Sequence, residues 1–598
     1  MAENPKVVVV FRHETAVFVS ANRPRFASGY HFLAQEYLIK ETISRADLPA
    51  DYLDGLHDVT KGRELNAVLV RLSNEWFLDK DGNDIFEYQG ISLGDLFCYQ
   101  FYFSMLPLLR YLLCLKAAKT KYDVDEIYAD DPTPLFSEVA SLLELSIRPF
   151  DAPPSGVDPV ENLLAKKRAR IAPSDFYWRH PLSRRILAAA INVIGRIRPR
   201  PRRKAVLIAE YGPMNAFVSR IVGGSKRAPM IHTAGFSHIP RVYLRGGRVL
   251  LFKNPGAPID KAVAALIAKW DDLRNDNAIA EKFVFEDLDC WPLFHRHAGE
   301  FIRQYLGYYA SQIRPAAGFL AKNNIKLLFL PFDSPPWARL LILIARRHAI
   351  RTLMVINGYL CDDNTAEGRR ADSVLVYSQS IKAWQFKDSD RAMVVGNPKF
   401  EAYLGLPKKQ YRKDANQTVI VSSAQYTPFD FNSPVSFGES NIADILKILQ
   451  TYPGFKIKIK LHPADDPAYY RFLVHDFLGY KNVEIIGDKP FIEAIQEADL
   501  YISNWSTSNL EAAIINIPVI YYKSDVLDFH PPFDGNSEMA TAHNLDELKQ
   551  LIDLFLAGDK KLWRFNEVDV LEKYTGLLDG RSSERIKEKI DALLAGGS

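Results

Sequence analysis

Residues 456–522 alternate short hydrophobic strands with helical segments, and this pattern constrains the fold more than any other stretch of the chain. The first strand runs into the dipeptide His462-Pro463, and the second stops at Gly487. The third ends after residue 503 at a small polar turn. Strands that alternate with helices form parallel sheets, and open α/β sheets bind ligands at the carboxyl ends of their strands. The pattern therefore predicts a Rossmann-like sheet with a binding site along one edge.

The polar turn after the third strand has the composition of a phosphate-binding site. It contains Ser506, Thr507, Ser508 and Asn509, and the following helix carries Glu511. Free N–H groups and the positive end of the helix dipole favour an anion at a helix start. Alternatively, the turn only caps the helix, since Ser508 and Glu511 have the spacing of a capping box. We predict that a nucleotide binds here without a Gly-rich loop.

The rest of the chain repeats the alternation of strands and helices, so the predicted fold class is α/β. At about 150 residues per domain, the 598 residues would give about four domains, and we expect two or three here. The predicted regions are an N-terminal α/β region (1–152), a basic linker with an amphipathic helix (153–203), a Rossmann-like domain (204–402) and a nucleotide-binding domain (403–598). In the first region we expect strands at residues 7–11, 67–71 and 126–129.

Charge and cysteine content indicate an ordinary globular protein of a reducing compartment. The net charge is +3, which gives no indication of a nucleic-acid partner. The four cysteines are scattered without the spacing of metal ligands or a disulfide framework. The amino terminus enters a strand at once without a signal peptide, and no apolar run reaches the roughly 18 residues that cross a bilayer. These features predict a cytoplasmic location.

The basic linker is the one strongly basic segment of the chain. Residues 166–204 carry thirteen Lys or Arg and a single Asp175, around an apolar stretch at residues 186–195. Charge runs of this kind usually form the solvated flank of a packed helix. A basic amphipathic segment can instead lie on an anionic membrane surface. Both interpretations stay open, and the second predicts a peripheral association with the inner face of a membrane.

Residues 204–402 and 403–598 resemble the two halves of a GT-B glycosyltransferase, and in particular the bacterial enzymes that build capsule and lipopolysaccharide chains. Lys460-Leu461-His462-Pro463 is similar to the HP motif of sialyl-, polysialyl- and Kdo transferases, and Ser506-Thr507-Ser508 is similar to their paired hydroxyls. The resemblance covers residues 325–560 well, 204–325 loosely, and the first region hardly at all. It implies a GT-B type fold, with two Rossmann-like domains facing a central cleft and an additional N-terminal α/β region.

The resemblance also implies a metal-independent, inverting transfer of a sugar from a nucleotide donor, without a cofactor. The departing phosphate gains negative charge, which fixed donors and a cation must stabilise. His462 and Lys460 would supply donors, although Lys456, Lys458 and Lys460 alternate with Ile and two of the three are expected to be solvated. The predicted nucleotide-binding residues are Lys460, His462, Pro463, Gly487, Asp488, Ser506, Thr507, Ser508, Asn509 and Glu511.

The acceptor hydroxyl needs a general base, which should come from residues 1–152 or 204–402. Glu210 and Asp333 each follow a predicted strand and are equal candidates, with His232 and His238 weaker. Asn357 stands where relatives of the family carry a His before Gly, and Asn cannot act as a base. Three Asp pairs resemble metal-binding motifs but lie in turns, so we predict no metal site; they are Asp130-Asp131, Asp362-Asp363 and Asp465-Asp466.

The donor sugar is left open between several classes. The motifs favour a CMP-activated sugar such as Kdo or a sialic acid, whose carboxylate would need a cation such as Arg339, Arg220 or Lys399. A UDP-sugar transferase and a CDP-glycerol-type polymerase are the alternatives, as are a UDP-sugar 2-epimerase-like enzyme and an inactive binder. The expected acceptor is a cell-surface glycan or glycolipid, and residues 1–152 would serve as an acceptor or partner module.

Overall fold

The computed structural model describes residues 4–150, 158–171, 186, 189–190, 193, 205–209, 230–233, 248–250, 252, 260–333, 335–356, 370–413, 416–423, 436–504, 506–522 and 538–595. The chain forms two compact units, and neither is one continuous stretch of sequence. Unit 1 consists of Met1–Leu69, Phe103–Pro173 and Pro407–Glu567. Unit 2 consists of Val70–Tyr102, Ser174–Leu406 and Val568–Ser598.

The described strands are numbered in chain order. They are β1 (Lys6–Val10), β2 (Tyr30–Ala34), β3 (Ala50–Tyr52), β4 (Glu87–Tyr88), β5 (Ile91–Ser92), β6 (Glu126–Ala129), β7 (Ser146–Pro149), β8 (Ala205–Ala209), β9 (Met230–Thr233), β10 (Val284–Phe285), β11 (Leu288–Asp289), β12 (Ile325–Leu330), β13 (Arg351–Val355), β14 (Ser373–Val376), β15 (Ala392–Val394), β16 (Thr418–Ser422), β17 (Lys456–Lys460), β18 (Glu484–Ile486), β19 (Leu500–Ser503), β20 (Val519–Tyr522) and β21 (Ala540–Ala542).

The described α-helices are numbered in the same way. They are α1 (His13–Ala21), α2 (Arg23–Phe26), α3 (Tyr37–Ser44), α4 (Val59–Glu75), α5 (Leu93–Leu96), α6 (Cys98–Tyr122), α7 (Pro134–Leu142), α8 (Pro159–Ile171), α9 (Lys261–Asp272), α10 (Asn277–Ala280), α11 (Trp291–Lys322), α12 (Pro336–Arg347), α13 (Gln379–Phe386), α14 (Glu401–Leu404), α15 (Phe437–Leu449), α16 (Pro467–Arg471), α17 (Phe491–Ala494), α18 (Ser508–Ile514), α19 (Leu545–Ala557), α20 (Val568–Thr575) and α21 (Ser582–Ala595). Short 3-10 or π turns span Leu53–Gly55, Leu273–Asn275, Glu281–Phe283, Pro398–Phe400, Phe472–Phe477, Ile495–Glu497 and Lys560–Asn566.

The described residues of unit 1 form two parallel sheets. The N-terminal sheet has the strand order β3-β2-β1-β6-β7, and the C-terminal sheet has the order β18-β17-β16-β19-β20-β21. The second order is the 3-2-1-4-5-6 arrangement of a Rossmann fold when its strands are counted along the chain. Leu38 of α3 and Leu164 of α8 are fully buried in the same hydrophobic cluster as Ile459 and Ile502 of the C-terminal sheet. The N-terminal region therefore contributes directly to the core beside that sheet.

In the part of unit 2 that the structure describes there is one larger parallel sheet, in the order β15-β14-β13-β12-β8-β9, and there are two short antiparallel hairpins, β4-β5 and β10-β11. Its core includes Leu327 and Phe329 of β12 and Leu353 of β13. Ile586 and Ile590, four residues apart on α21, pack into that core, as an apolar face with helical spacing does. The three parallel sheets confirm the α/β class, and the two six-stranded sheets are the Rossmann-like pair that a GT-B type fold contains.

The strand predicted at residues 67–71 was wrong, because these residues lie in α4. Leu65, Leu69, Leu72 and Trp76 are all buried, and their spacing of three or four residues is that of one helix face. A short apolar run has the same composition in a buried strand and in a buried helix, so periodicity over the longer segment decides between them. The strands expected at residues 7–11 and 126–129 are present as β1 and β6.

One described helix contradicts the expectation that no segment could cross a membrane. By length and composition α6 could do so, with a mean hydropathy of 1.3 over its most apolar window. However, 67% of that window is buried inside the protein, as in the core helix of a globular domain. The helix alone is therefore weak evidence for a membrane span.

Candidate functional site

The candidate site lies at the carboxyl edge of the C-terminal sheet, which we call the rim. Ser423 follows β16 at the centre of the sheet, and His462 and Ser506 follow β17 and β19 on either side. Val421 pairs with both Ile459 and Ile502, so the three strands end at nearly the same level. The chain leaves β16 towards β17 and later returns to add β19 on the other side. This reversal is the topological switch point at which open α/β sheets bind ligands.

His462 is exposed on the rim, and its backbone and ring are both held by hydrogen bonds. Its N–H donates to the Ser423 hydroxyl at 2.7 Å and to Oδ2 of Asp465 at 3.1 Å. The Ala464 N–H donates to Nδ1 of the ring at 3.1 Å. An imidazole nitrogen that accepts a hydrogen bond carries no proton, so the proton of the neutral ring is on Nε2. The ring is therefore oriented as a donor through Nε2.

Asp465 clamps the turn that carries His462. Its Oδ2 accepts from the Ser423 hydroxyl as well as from the His462 N–H, and its own N–H donates to the His462 carbonyl at 2.9 Å. Burial raises the pKa of Asp465 to about 6, although the hydrogen bonds from Ser423 and His462 oppose this shift. The carboxylate thus holds the turn most strongly above pH 6, where it is charged.

Lys460 places a buried ammonium directly beneath the rim. It is 7% exposed, and its Nζ donates to the carbonyls of Leu461 at 2.7 Å and Gly487 at 3.0 Å. None of the described carboxylates forms an ion pair with it. Burial lowers the pKa of Lys460, and the negative charges of Asp465 and Asp488 only partly offset this. An anion on the rim would stabilise the charged form of this side chain.

The other two lysines of β17 differ from the sequence expectation. Two of the three were expected to be solvated, but only Lys456 is exposed. Lys458 is 4% exposed and forms ion pairs with Glu484 at 2.9 Å and Glu497 at 2.6 Å. Carboxylates from neighbouring elements therefore allow a second lysine on this strand to be buried.

The polar turn after β19 forms a chain of hydroxyls. The Oγ atoms of Ser506 and Ser508 are 2.5 Å apart, and the Tyr501 hydroxyl lies 2.6 Å from Oγ of Ser508. Burial raises the pKa of Tyr501 to about 12, so this hydroxyl keeps its proton at neutral pH. The helix α18 begins at Ser508, and its N-cap Thr507 makes no side-chain cap hydrogen bond. Because Thr507 and not Ser508 is the N-cap, the turn is not the capping box of Ser508 and Glu511 that the sequence left open.

Asn509 and Glu511 lie behind the turn rather than at its surface, with exposures of 0% and 1%. The Asn509 side chain accepts from the Ser503 hydroxyl at 2.7 Å and donates to the Asn504 carbonyl at 2.9 Å. These bonds close the loop between β19 and α18. Asn509 thus fixes the shape of the turn, and its direct contact with a nucleotide stays a prediction, as does that of Glu511.

The remaining nucleotide-site candidates lie at the end of β17 and beyond β18. Pro463 and Asp488 are exposed, and Gly487 is half-buried with its carbonyl bonded to Lys460. The structure thus brings Lys460, His462 and Gly487 together, and it places the hydroxyl turn on the same rim, two strands away. At the usual spacing of neighbouring strands, the ends of β17 and β19 are about 10 Å apart.

Of the two candidate bases, only Asp333 lies among the described residues. It is fully buried, and its Oδ2 accepts from the N–H groups of Arg370 at 2.8 Å and Ala371 at 3.3 Å. Its carbonyl accepts from Nε of Arg339 at 3.1 Å. These contacts hold the segment after β12. Other residues singled out in the sequence lie outside the described residues, or their side chains do: Glu210, Arg220, His232, His238 and Asn357.

The sequence did not identify two residues that organise the rim. Asp465 was interpreted as a turn acid, and Ser423 was not singled out. A usable signal exists for both, because Ser423 directly follows β16, the first strand of the C-terminal sheet, and Asp465 stands three residues after the motif histidine. Among the described residues, no group of three or more His, Cys, Asp or Glu could hold a metal ion.

A scan against protein-family models and a search of curated proteins both find no match. Among solved structures, S. aureus MnaA with UDP is 13% identical, with a TM-score of 0.42, over 66% of this chain and 97% of that one. UDP-GlcNAc 2-epimerase from Neisseria meningitidis, bound to UDP-GlcNAc, is 13% identical at 0.41, over 65% and 99%. A glycosyltransferase from Rickettsia africae is 13% identical at 0.40, over 66% and 100%. Likenesses at this level do not bear on what this chain binds or catalyses.

Proposed function

We propose that this chain is a metal-independent glycosyltransferase that takes a sugar from a nucleotide donor, and that the rim holds the departing phosphate. The observation that carries the proposal is the exposed His462 ring, which the Ala464 amide fixes as a donor through Nε2. A buried ammonium without a described carboxylate partner, Lys460, lies beneath it. A chain of hydroxyls ends the strand on the other side of the switch point.

The chemistry of glycosyl transfer fits this set of groups. As the bond between the sugar and the phosphate breaks, charge grows on the phosphate oxygen, and fixed donors in a partly desolvated site stabilise it. The neutral His462 ring donates from Nε2, and Lys460 adds positive charge from below. Ser506 and Ser508 can redirect their hydroxyl protons towards an anion, because either oxygen of that pair can be the donor. No metal ion is needed for this division of roles.

The best donor candidate is a CMP-activated Kdo or sialic-acid-like sugar, with one phosphate to hold, passed to a glycan or glycolipid acceptor. Support for CMP comes from the HP and paired-hydroxyl resemblance. We place the enzyme in the cytoplasm, with peripheral membrane contact through the basic segment 166–204. For the general base we favour Glu210 over Asp333, because the Asp333 carboxylate would first have to give up two backbone amides.

Thermal shifts with CMP, CDP, UDP and GDP test the nucleotide site. A ligand at a hundredfold excess over its Kd stabilises a protein by about 2.7 kcal/mol, which is readily detected. Selective stabilisation by CMP supports the proposal, and preference for UDP would instead favour a UDP-sugar enzyme. If none of the four nucleotides stabilises the protein, the proposed function is wrong.

Two His462 variants then test the role of the ring. In His462→Asn the side-chain oxygen can still accept from Ala464, so the turn is kept, but the donor at Nε2 is lost. We expect release of the nucleotide from its sugar to slow by about 10²-fold or more, as on loss of an oxyanion donor. His462→Gln, whose longer amide restores a donor near Nε2, should recover part of that loss. Equal rates for wild type and His462→Asn would remove this ring from the mechanism.

A reaction without an acceptor separates the transferase from its alternatives. With a labelled nucleotide sugar alone, a transferase hydrolyses the donor slowly, and an epimerase converts it to an isomer of unchanged mass. An inactive binder leaves the donor intact. Chromatography of the products distinguishes the three outcomes, and rapid isomerisation would contradict the proposal.

A further inference from the structure

A lysine from outside the C-terminal sheet lies buried beside the rim. Lys167 is on α8, and its side chain is 12% exposed. Its Nζ forms an ion pair with Glu439 of α15 and lies 3.7 Å from Oε2 of Glu36, which precedes α3. The adjacent Arg168 donates to the same Glu36 at 2.6 Å. Residues from the N-terminal region, the linker and the nucleotide-binding domain thus share one buried charge network within unit 1.

The network contacts α16, the helix that follows the His462 turn and its carboxylate clamp Asp465. Glu439 also accepts from the Tyr469 hydroxyl at 3.0 Å, and Tyr469 lies on α16, immediately after the turn. Among the causes that set the pKa of Asp465, the charge of Glu439 raises it and the charge of Lys167 lowers it. Other charged or titratable groups among the described residues that face Asp465 include Lys460 on β17, Tyr470 on α16 and His462 itself.

The ion pair between Lys167 and Glu439 determines how strongly the charge of Glu439 raises the pKa of Asp465. A buried carboxylate without a partner repels a second carboxylate, whereas one paired with an ammonium does so much less. Burial works to lower the pKa of Lys167, but Glu439 and Glu36 more than offset it and the pKa is raised, so the side chain stays charged. Lys167 is therefore a permanent cation next to Glu439 at any physiological pH.

We propose that Lys167 is a positioning residue for the rim: by pairing with Glu439 it keeps Asp465 ionised, and ionised Asp465 keeps the His462 turn closed. The role of that turn in binding a nucleotide rests on the proposed function. The consequence is that the N-terminal region and linker are part of the nucleotide site, in addition to any role in recognising an acceptor. Glu36 and Arg168 hold the network from the side of the N-terminal sheet.

The backbone amide of His462 is a direct probe, because it donates to Oδ2 of Asp465 and its NMR shift follows the protonation of that carboxyl. Full-length protein labelled with ¹⁵N-histidine has thirteen histidine amides, and His462→Asn identifies the relevant signal. We expect a midpoint near pH 6 in the wild type. In Lys167→Met the midpoint should rise by about one pH unit, the scale on which a nearby opposite charge acts.

Two further variants separate positioning from a merely structural role. Lys167→Met with Glu439→Gln removes both charges and should return the midpoint towards that of the wild type. Glu439→Gln alone should lower the midpoint, and this variant tests the proposal if Lys167→Met fails to fold. Lys458→Met is the matched control, because it removes another buried, ion-paired lysine without changing the charge on Glu439.

A midpoint that is unchanged in both Lys167→Met and Glu439→Gln overturns the inference, and so does an equal change in Lys458→Met. The affinity for nucleotide, measured as a function of pH, should fall at acid pH. The midpoints of this fall should rank the variants in the same order as the amide titration does. If no nucleotide binds the wild type, the proposed function fails, but the amide titration still decides whether Lys167 controls Asp465.

Discussion

Replacing Asp465 by Asn should make the protein more stable at alkaline pH while weakening nucleotide binding at the proposed site. The folded pKa is about 6 and the ordinary value is 3.8, a difference of about two units. Because the folded pKa is raised, the stability linked to this group is fully present below pH 3.8 and is lost as the pH rises through 6. At pH 8 the ionised carboxylate therefore costs the folded state about 3 kcal/mol, at 1.36 kcal/mol per unit.

The expected result is a difference between the wild type and Asp465→Asn in how the free energy of unfolding depends on pH. The amide of Asn carries no charge, so Asp465→Asn does not have this cost at any pH. The amide oxygen accepts more weakly from Ser423 and His462 than the carboxylate does, and each weakened hydrogen bond costs about 1 kcal/mol of stability. Relative to the wild type, the variant should be less stable or equal near pH 3.5 and more stable by about 1 kcal/mol at pH 8.

Unfolding of unit 1 can be followed by calorimetry or by denaturant at pH values from 3.5 to 8. Asp466→Asn is the matched control, because Asp466 caps α16 through the Ala468 N–H and Asn is an equally good N-cap. We expect its stability curve to run parallel to that of the wild type. If the stability curve of Asp465→Asn also runs parallel to that of the wild type, the pKa of Asp465 is not raised in the folded protein, and the explanation of the clamp is wrong.

Three other variants have distinct expected outcomes. Lys460→Met should weaken nucleotide binding at least tenfold in calorimetric titrations without loss of stability, because an apolar side chain replaces a buried cation that has no described carboxylate partner; unchanged affinity would contradict the role of the ammonium. Ser508→Ala should cost about 1–2 kcal/mol of stability, because it removes a partner of the buried Tyr501 hydroxyl, and it should weaken binding more than Ser506→Ala does. Lys458→Met should lower the melting temperature but leave nucleotide affinity unchanged, since its partners Glu484 and Glu497 lie away from the rim.

The sequence predicted β17, β18 and β19 of the sheet that forms the rim, because β-branched or aliphatic residues recur in each of these short strands. The ends of β17 and β19 are marked by Pro463 and by the small polar turn, which is why the sequence pointed to this edge of the sheet as the candidate site. Residues 67–71 have the composition of such a run and were predicted wrongly, because the surrounding helical spacing was given too little weight.

Other features depend on contacts that one sequence does not contain. Lys167 and Glu439 are 272 residues apart, and only the folded chain brings them together. For the same reason Lys458 could not be recognised as buried, since its partners belong to two other elements. The charge state of Asp465 follows from burial and from these distant charges, so a turn acid and a strained clamp have the same appearance in the sequence.

Lys460 and Asp465 together support the proposal that the rim is a binding site and not only a well-packed strand end. The folded protein lowers the pKa of the ammonium and raises that of the carboxyl, so burial disfavours the charged form of each. Structural ion pairs elsewhere in unit 1 relieve such strain directly, as Lys458 and Glu497 do. On the rim the carboxylate is instead used to hold the His462 turn, and the ammonium is left facing carbonyls. A phosphate would stabilise that ammonium and accept from the histidine, so a bound nucleotide would complete an arrangement that the protein alone leaves under strain.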